Sequence, residues 1–255
     1  MIRQLMFPKW ALLIALAAIA SQGLAEDQQA KEILRRAIDA AGGQRRLDTL
    51  KAPTMWMEKG TFHGGDEATP FIAHYASKWP NWYRQNIENA FSIGIDGDLA
   101  FVSSSAGTRV LTGDQLKEQL IQARIARALF LFPLNGEEYS LSAAPGIEVD
   151  GRLTIGIKAS HRDGRDANFY FDKKTYLIAK IETVIVTPQT GPDPVTSETF
   201  YWAHRSFGGA TMPSKYKRVY DGNLFVEGET VDIKVRATLD PKWFSIAEKN
   251  GQASE

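Results

Sequence analysis

The chain has 255 residues, 30 lysines and arginines against 30 aspartates and glutamates, and no cysteine. This balance excludes the basic excess of a nucleic-acid-binding protein, and the lack of cysteine excludes a disulfide framework and a lipid-modified cysteine. Stability must come from apolar burial, for which the chain is long enough.

The first 25 residues have the three-part plan of a secretory signal peptide. Arg3 and Lys9 precede an apolar run over residues 10–20, and Gly23 and Ala25 take the small-residue positions of a cleavage site. The run is shorter than the roughly 20 residues of a spanning helix. We therefore expect export to the periplasm, with cleavage near Ala25, rather than a membrane anchor.

The next residues predict helices. Residues 27–43 favour an amphipathic helix, which Gly42 and Gly43 end. Residues 44–50 predict a short second helix before Pro53. The apolar stripe of the first helix comprises Ile33, Leu34, Ala37, Ile38 and Ala41.

From residue 54 onward, short stretches rich in β-branched and aromatic residues alternate with turn residues, which predicts antiparallel strands. One long helix, over about 113–131, interrupts them and ends before Pro133. Strands then resume as far as residue 240. Turns are predicted at four Asp-Gly pairs, which are Asp96-Gly97, Asp150-Gly151, Asp163-Gly164 and Asp221-Gly222.

Residues 169–182 predict a hairpin with one apolar face. Phe169 and Phe171 share a side of the first strand, and a polar turn follows at residues 173–175. Alternation in the second strand predicts that Leu177, Ala179 and Ile181 lie beside them.

The order of elements predicts an α+β fold that is mostly antiparallel β. A long meander of strands curls because strands twist, so we expect a curved, incomplete β-barrel with helices covering its concave face. We expect a single domain over residues 26–247, between the signal peptide at 1–25 and a polar tail at 248–255.

No pattern in the sequence favours catalysis or a cofactor. His63, His74, His161 and His204 are scattered, so we predict no metal site, and no glycine-rich phosphate loop is present. A secreted hydrolase that uses residues 103–105 with His161 or His204 is the weakest alternative, because the nucleophile-elbow motif is missing.

Aromatic residues are abundant, with 6 Trp, 8 Tyr and 13 Phe. They predict either a large core or an apolar ligand cavity, and an exported apolar cavity suits acyl chains, because each buried CH₂ contributes about 0.8 kcal/mol. The residues predicted to line it are Trp56, Phe62, Phe71, Phe91, Phe101, Leu120, Leu129, Phe132, Phe169, Phe171, Leu177 and Ile181.

Three segments resemble proteins of the LolA-like group, the carriers that sort outer-membrane lipoproteins. They are "AKEILRRAIDAAGGQRRLDTLKA" with "KGTF", "FYFDKKTYLIAKIE", and "MPSKYKRVYDGNLFVEGETVDIKVRATLDPKWF". The resemblance implies a cofactor-free periplasmic carrier that shields lipoprotein acyl chains. It also implies an inner-membrane donor complex and an outer-membrane acceptor as partners.

The function predicted from the sequence is a soluble, monomeric periplasmic carrier or chaperone for acyl chains of lipoproteins or another lipidic ligand. An envelope-stress sensor that uses the same kind of cavity to detect lipids is the alternative. In neither case do we expect an enzyme or a nucleic-acid partner.

Overall fold

The computed structural model describes residues 9–162, 164–187, 191 and 193–240, and gives the backbone alone for residues 9–24. The first eight residues of the predicted signal peptide and the predicted tail at 248–255 lie outside this range, as do Asp163 and much of the loop at 187–196. Within the range, no helix is long and apolar enough to cross a membrane.

Three α-helices and two 3-10 turns are present in the described range. They are α1 (Lys9–Ala40), α2 (Gln44–Asp48) with a 3-10 turn at Thr49–Lys51, and α3 (Gly113–Ala128) with a 3-10 turn at Phe132–Asn135. Gly42 and Gly43 follow α1 with φ of 108° and 86°, where a side chain would be strained. The helix predicted over 113–131 ends early, because the chain turns back at Leu131 with φ 63°.

Fourteen strands follow α2. They are β1 (Thr54–Phe62), β2 (Thr69–Lys78), β3 (Trp82–Ile87), β4 (Phe91–Asp96), β5 (Leu99–Ser104), β6 (Gly107–Val110), β7 (Tyr139–Ala144), β8 (Glu148–Val149), β9 (Arg152–His161), β10 (Asp166–Asp172), β11 (Ile178–Ile185), β12 (Val195–Phe207), β13 (Ala210–Tyr220) and β14 (Asn223–Val235).

All the strands belong to one antiparallel assembly. The order is β6-β5-β4-β3-β2-β1-β14-β13-β12-β11-β10-β9-β7, with β8 paired to β9 alone. The first and last strands, β1 and β14, pair with each other in the middle of this order. β6 and β7 are the two edge strands, and each is paired on one side only. The prediction of an incomplete barrel with helices on one face is therefore confirmed.

Two turns follow the Asp-Gly prediction and one departs from it. Asp150-Gly151 and Asp221-Gly222 have positive φ at both residues, as a tight two-residue hairpin needs. Between β4 and β5, in contrast, Asp96 pairs with Leu99, so the turn lies one residue later than predicted.

The hairpin of β10 and β11 contains a bulge that the alternation of the sequence did not predict. Phe169 pairs with Ile181, but Phe171 pairs with Ile178 rather than with Ala179. The extra residue shifts the side-chain parity, so Ile178 joins the core in place of Leu177, which precedes the strand.

Candidate functional site

The inner face of the sheet, defined as the face that α1 and α3 cover, has two unlike halves. In the packed half, formed by β7 and β9–β12 under α1, the central side chains are fully enclosed, whereas Tyr139, Leu141 and Ile155 are partly buried. Phe169 is 1% exposed and Ile157 and Phe171 are 0% exposed, against Leu34 and Ala37 of α1 at 0%. This half is an ordinary close-packed core.

In the cleft half, formed by β1–β5 under α3, Tyr75, Tyr83, Leu111 and Ala123 are buried together with three residues of the floor. Ala73, Ile95 and Ala100 are buried there. Several apolar side chains above them pack against the floor but keep accessible surface; we name them the cleft residues. They are Trp56, Phe71, Ile87 and Val102 from the strands and Leu116 and Leu120 from α3.

A cluster of aromatic rings forms the centre of the cleft half. The indole of Trp56 stacks on the ring of Tyr75 with centroids 4.8 Å apart and planes 1° apart. Tyr83 lies 6.4 Å from Trp56 at a tilt of 50°, and Phe130, beyond the end of α3, meets Trp56 edge-on at 6.3 Å. These rings present a rigid apolar surface with polar groups at its edge.

One carboxylate lies at that edge. Glu58, two residues after Trp56 on the same side of β1, accepts hydrogen bonds from Tyr216 Oη at 2.8 Å, Tyr75 Oη at 3.1 Å and Trp56 Nε1 at 3.1 Å. Gln85 donates to Tyr75 Oη at 3.2 Å and extends the network. Burial raises the pKa of Glu58, and the three hydrogen bonds oppose that rise.

Two glycines let Tyr216 reach Glu58 across the intervening strand. Gly60 of β1 pairs with Gly228 of β14, which in turn pairs with Tyr216 of β13. A Cβ on Gly228 would come within 2.8 Å of the Tyr216 ring, and one on Gly60 would come within 2.9 Å of the Phe71 ring. A side chain is therefore excluded at Gly228 by the Tyr216 ring, and at Gly60 by the Glu227 carbonyl as well as by the Phe71 ring.

Polar contacts hold α3 over the cleft half. Glu118 of α3 pairs with Arg165 at 2.9 Å and accepts a hydrogen bond from the Val186 backbone at 3.0 Å. Near the other end of α3, the buried Arg127 donates to the carbonyl of Pro80 and lies over the Trp79 ring. Burial lowers the pKa of Arg127 to about 10.

Two cavities lie outside the aromatic cluster. The first, between α3 and β7, β9 and β10, has about 320 Å³ of empty space including its mouth, and Phe169 lines it. The second has about 230 Å³, and Leu129, Leu177 and His204 contribute to its wall.

The twelve residues predicted to line a cavity fall into several places. Trp56, Phe71 and Leu120 are cleft residues. Phe91 pairs with Ile87 and therefore shares their face at the edge of the cleft. Phe62 packs against Phe225 at the end of β1, with centroids 5.0 Å apart.

The other predicted residues lie elsewhere. Phe132, Phe169, Phe171 and Ile181 belong to the closed core, and Leu129 and Leu177 line the second cavity. Phe101 lies on the outer face, where Gly94 leaves room for its ring and Arg84 covers it at 5.2 Å.

The sequence prediction left out Glu58, Tyr75, Tyr83, Phe130 and Tyr216. The alternation of side chains along β1 could have predicted that Glu58 points inward, because a residue two positions after an inward tryptophan lies on the same face of the strand. The serine and histidine residues of the hydrolase alternative lie on separate elements. Ser103 bonds Thr108 across the β5–β6 turn at 2.8 Å, while His161 and His204 lie on β9 and β12.

The architecture matches solved structures of LolA-like fold. A LolA superfamily protein from Nitrosomonas europaea aligns with a TM-score of 0.57 and 14% identity, over 85% of this chain and 97% of that chain. A putative outer membrane lipoprotein-sorting protein domain from Vibrio parahaemolyticus gives 0.56 and 9%, over 86% and 97%.

A DUF1329 family protein from Desulfovibrio piger also has this fold, with a TM-score of 0.56 and 12% identity over 85% of this chain and 97% of that chain. No family model matches the sequence, and no curated protein matches it. At these identities the likeness concerns the fold, and the chain has a LolA-like fold.

Proposed function

We propose that the protein is a periplasmic carrier that holds an acyl chain of a lipoprotein or of another lipid in the cleft half. One observation carries the proposal: the cleft residues remain partly accessible although α3 covers them. A hydrocarbon chain placed there would bury both its own surface and theirs, at about 25 cal/mol per Å².

The attachment of α3 supports the same function. Of its side chains, Ile121, Ala123, Arg127 and Ala128 are buried, and its outer contacts are the polar ones made by Glu118 and Arg127. Few of its side chains are buried, so we propose that α3 moves away from the sheet to give an acyl chain a route into the cleft.

The domain of this fold from Vibrio parahaemolyticus is described as a putative outer membrane lipoprotein-sorting protein domain, which supports a function linked to lipoproteins. The sequence pattern of the N-terminal 25 residues, which predicts a secretory signal peptide, supports a periplasmic location. Delivery would then require a donor at the inner membrane and an acceptor at the outer membrane.

Lipid retention after purification tests the proposal. We expect the protein isolated from a bacterial host to retain acyl lipid detectable by mass spectrometry, and to bind an apolar fluorescent probe that dodecanol displaces. A lipid-free protein that fails to bind the probe would contradict the proposed function.

A matched pair of variants locates the binding. Trp56→Ala removes the centre of the aromatic cluster, whereas Trp82→Ala removes a tryptophan on the outer face, where Lys78 lies over its ring at 4.5 Å. We expect probe binding to fall for the first variant alone; an equal loss in both would contradict the location.

A further inference from the structure

Glu58 is an acid inside an apolar cleft, and no basic side chain in the described part of the chain contacts it. Its hydrogen-bond partners are the two tyrosine hydroxyls and the indole N–H described above. Arg218 acts on it through charge alone, and that guanidinium is held by Thr199 at 3.0 Å. A buried carboxylate without a cation in contact is costly.

The carboxylate has capacity for another hydrogen-bond donor. A carboxylate offers about four acceptor positions, and Glu58 uses three, one of them on Oε1 and two on Oε2. The side chain of Glu58 also keeps accessible surface. Because β1 lies in the middle of the sheet and Glu58 points inward, that surface faces the cleft.

Trp56 beside Glu58 favours a positive charge in the remaining position. The face of tryptophan attracts cations, and Trp56, one face of which stacks on the buried Tyr75, keeps accessible surface beside the carboxylate. A negatively charged group would meet the repulsion of Glu58 at the same place.

We propose that Glu58 and the Trp56 ring beside it bind the ammonium group of an amine-bearing amphiphile whose hydrocarbon chain occupies the cleft. This inference rests on the proposed function, because the chain of the ligand needs the cleft, but it adds a chemical class that the apolar walls alone do not select. The ammonium would supply the contacting cation that Glu58 lacks.

Displacement of an apolar fluorescent probe by three single-chain ligands tests the inference. Dodecylamine, dodecanol and dodecanoate share a chain and differ in charge, and each is used below its aggregation concentration at pH 7.5. We expect dodecylamine to bind about tenfold or more tightly than dodecanol, and dodecanoate to bind more weakly than either.

Glu58→Gln keeps the size of the side chain and removes its charge. We expect the preference for dodecylamine over dodecanol to vanish in this variant. Glu88→Gln is the matched control, because Glu88 is exposed and pairs with His74 at 2.6 Å rather than with the cleft; it should keep the full preference.

A titration of the unaltered protein gives a readout that does not depend on the folding of a variant. Burial raises the pKa of Glu58, so lowering the pH from 7.5 to 5 should reduce the dodecylamine preference while dodecanol binding stays constant. The other titratable groups facing Glu58 do not change charge there, because the pKa values of Tyr75, Tyr83, Tyr216 and Arg218 are all raised.

The outcomes separate this inference from the proposed function. If dodecanol displaces the probe but dodecylamine binds no better, or if Glu58→Gln keeps the preference, the ammonium site is wrong while the acyl-binding cleft stands. If no ligand displaces the probe, both fail. A loss of all binding in a folded Glu58→Gln protein would show a structural role and would also overturn the site.

Discussion

The two halves of the inner face contain similar residue types but bury them to different extents. Under α1, phenylalanine and isoleucine side chains such as Phe171 and Ile157 are completely enclosed. Under α3, the aromatic side chain of Trp56 and the aliphatic side chain of Ile87 keep accessible surface, and Glu58 lies among the rings. The packed half stabilises the fold. The cleft half is packed less completely and keeps a surface that a ligand can cover.

The largest expected effect comes from the packed half. Phe171→Ala leaves a cavity in a closed core, so we expect the free energy of unfolding to fall by about 3–5 kcal/mol. Thermal unfolding should show a midpoint lowered by about 10 °C. If the variant unfolds like the unaltered protein, the packed half is not the closed core described here.

The cleft half should respond to the matching change with less loss of stability and more loss of binding. Trp56→Ala removes a partly exposed side chain, so we expect a stability loss of about 1–2 kcal/mol with at least a tenfold loss of probe affinity. Denaturant unfolding and probe titration measure the two quantities. A loss as large as that of Phe171→Ala would erase the contrast between the halves.

The glycine pair offers a sharper test of the polar network. Gly228→Ala puts a methyl group within 2.8 Å of the Tyr216 ring, and such overpacking costs about 1–3 kcal/mol. In a Tyr216→Ala background the same substitution should cost much less, because the clash is gone. A double-mutant cycle measures this coupling.

Gly65→Ala is the control for that cycle, since a Cβ there meets its neighbours only at 3.9 Å. Gly65→Ala should leave the free energy of unfolding unchanged, and it should show no coupling energy with Tyr216→Ala. Additive effects of Gly228→Ala and Tyr216→Ala would mean that the ring does not lie over Gly228.

The smallest effect concerns the charge of Glu58 and depends on pH. The pKa of Glu58 is raised in the folded protein, so its contribution to stability is present below its unfolded pKa and is lost as pH rises through the folded value. The thermal-unfolding midpoint of the Glu58→Gln variant should therefore rise relative to that of the unaltered protein as the pH increases from 4 to 8. A difference that decreases over this range would show that the folded protein favours the ionised carboxylate.

The sequence predicts much of the scaffold, because local rules apply there. The apolar stripe of α1, the glycines that end it and the turns at Asp150-Gly151 and Asp221-Gly222 follow from helix periodicity and turn chemistry. The curved sheet with its helical cover follows from the order and twist of the strands.

The cleft was less predictable, because its geometry depends on pairing between distant strands. Phe101 has an apolar side chain in an alternating strand, yet it points outward because Gly94 in the neighbouring strand makes room for it. The bulge near Ala179 moves Ile178 into the core. Glu58 has the polarity expected of an outward residue, and only the tyrosine partners across the sheet explain its inward position.

Photo-crosslinking with a long-chain alcohol that bears a diazirine at the end of its chain tests the central claim most directly. Mass spectrometry of the labelled protein identifies the residues that contact the chain. We predict labels on cleft residues, above all Trp56, Ile87, Val102 and Leu120, and competition by dodecanol. Labels confined to outer-face residues, or no label that dodecanol can compete away, would contradict the account.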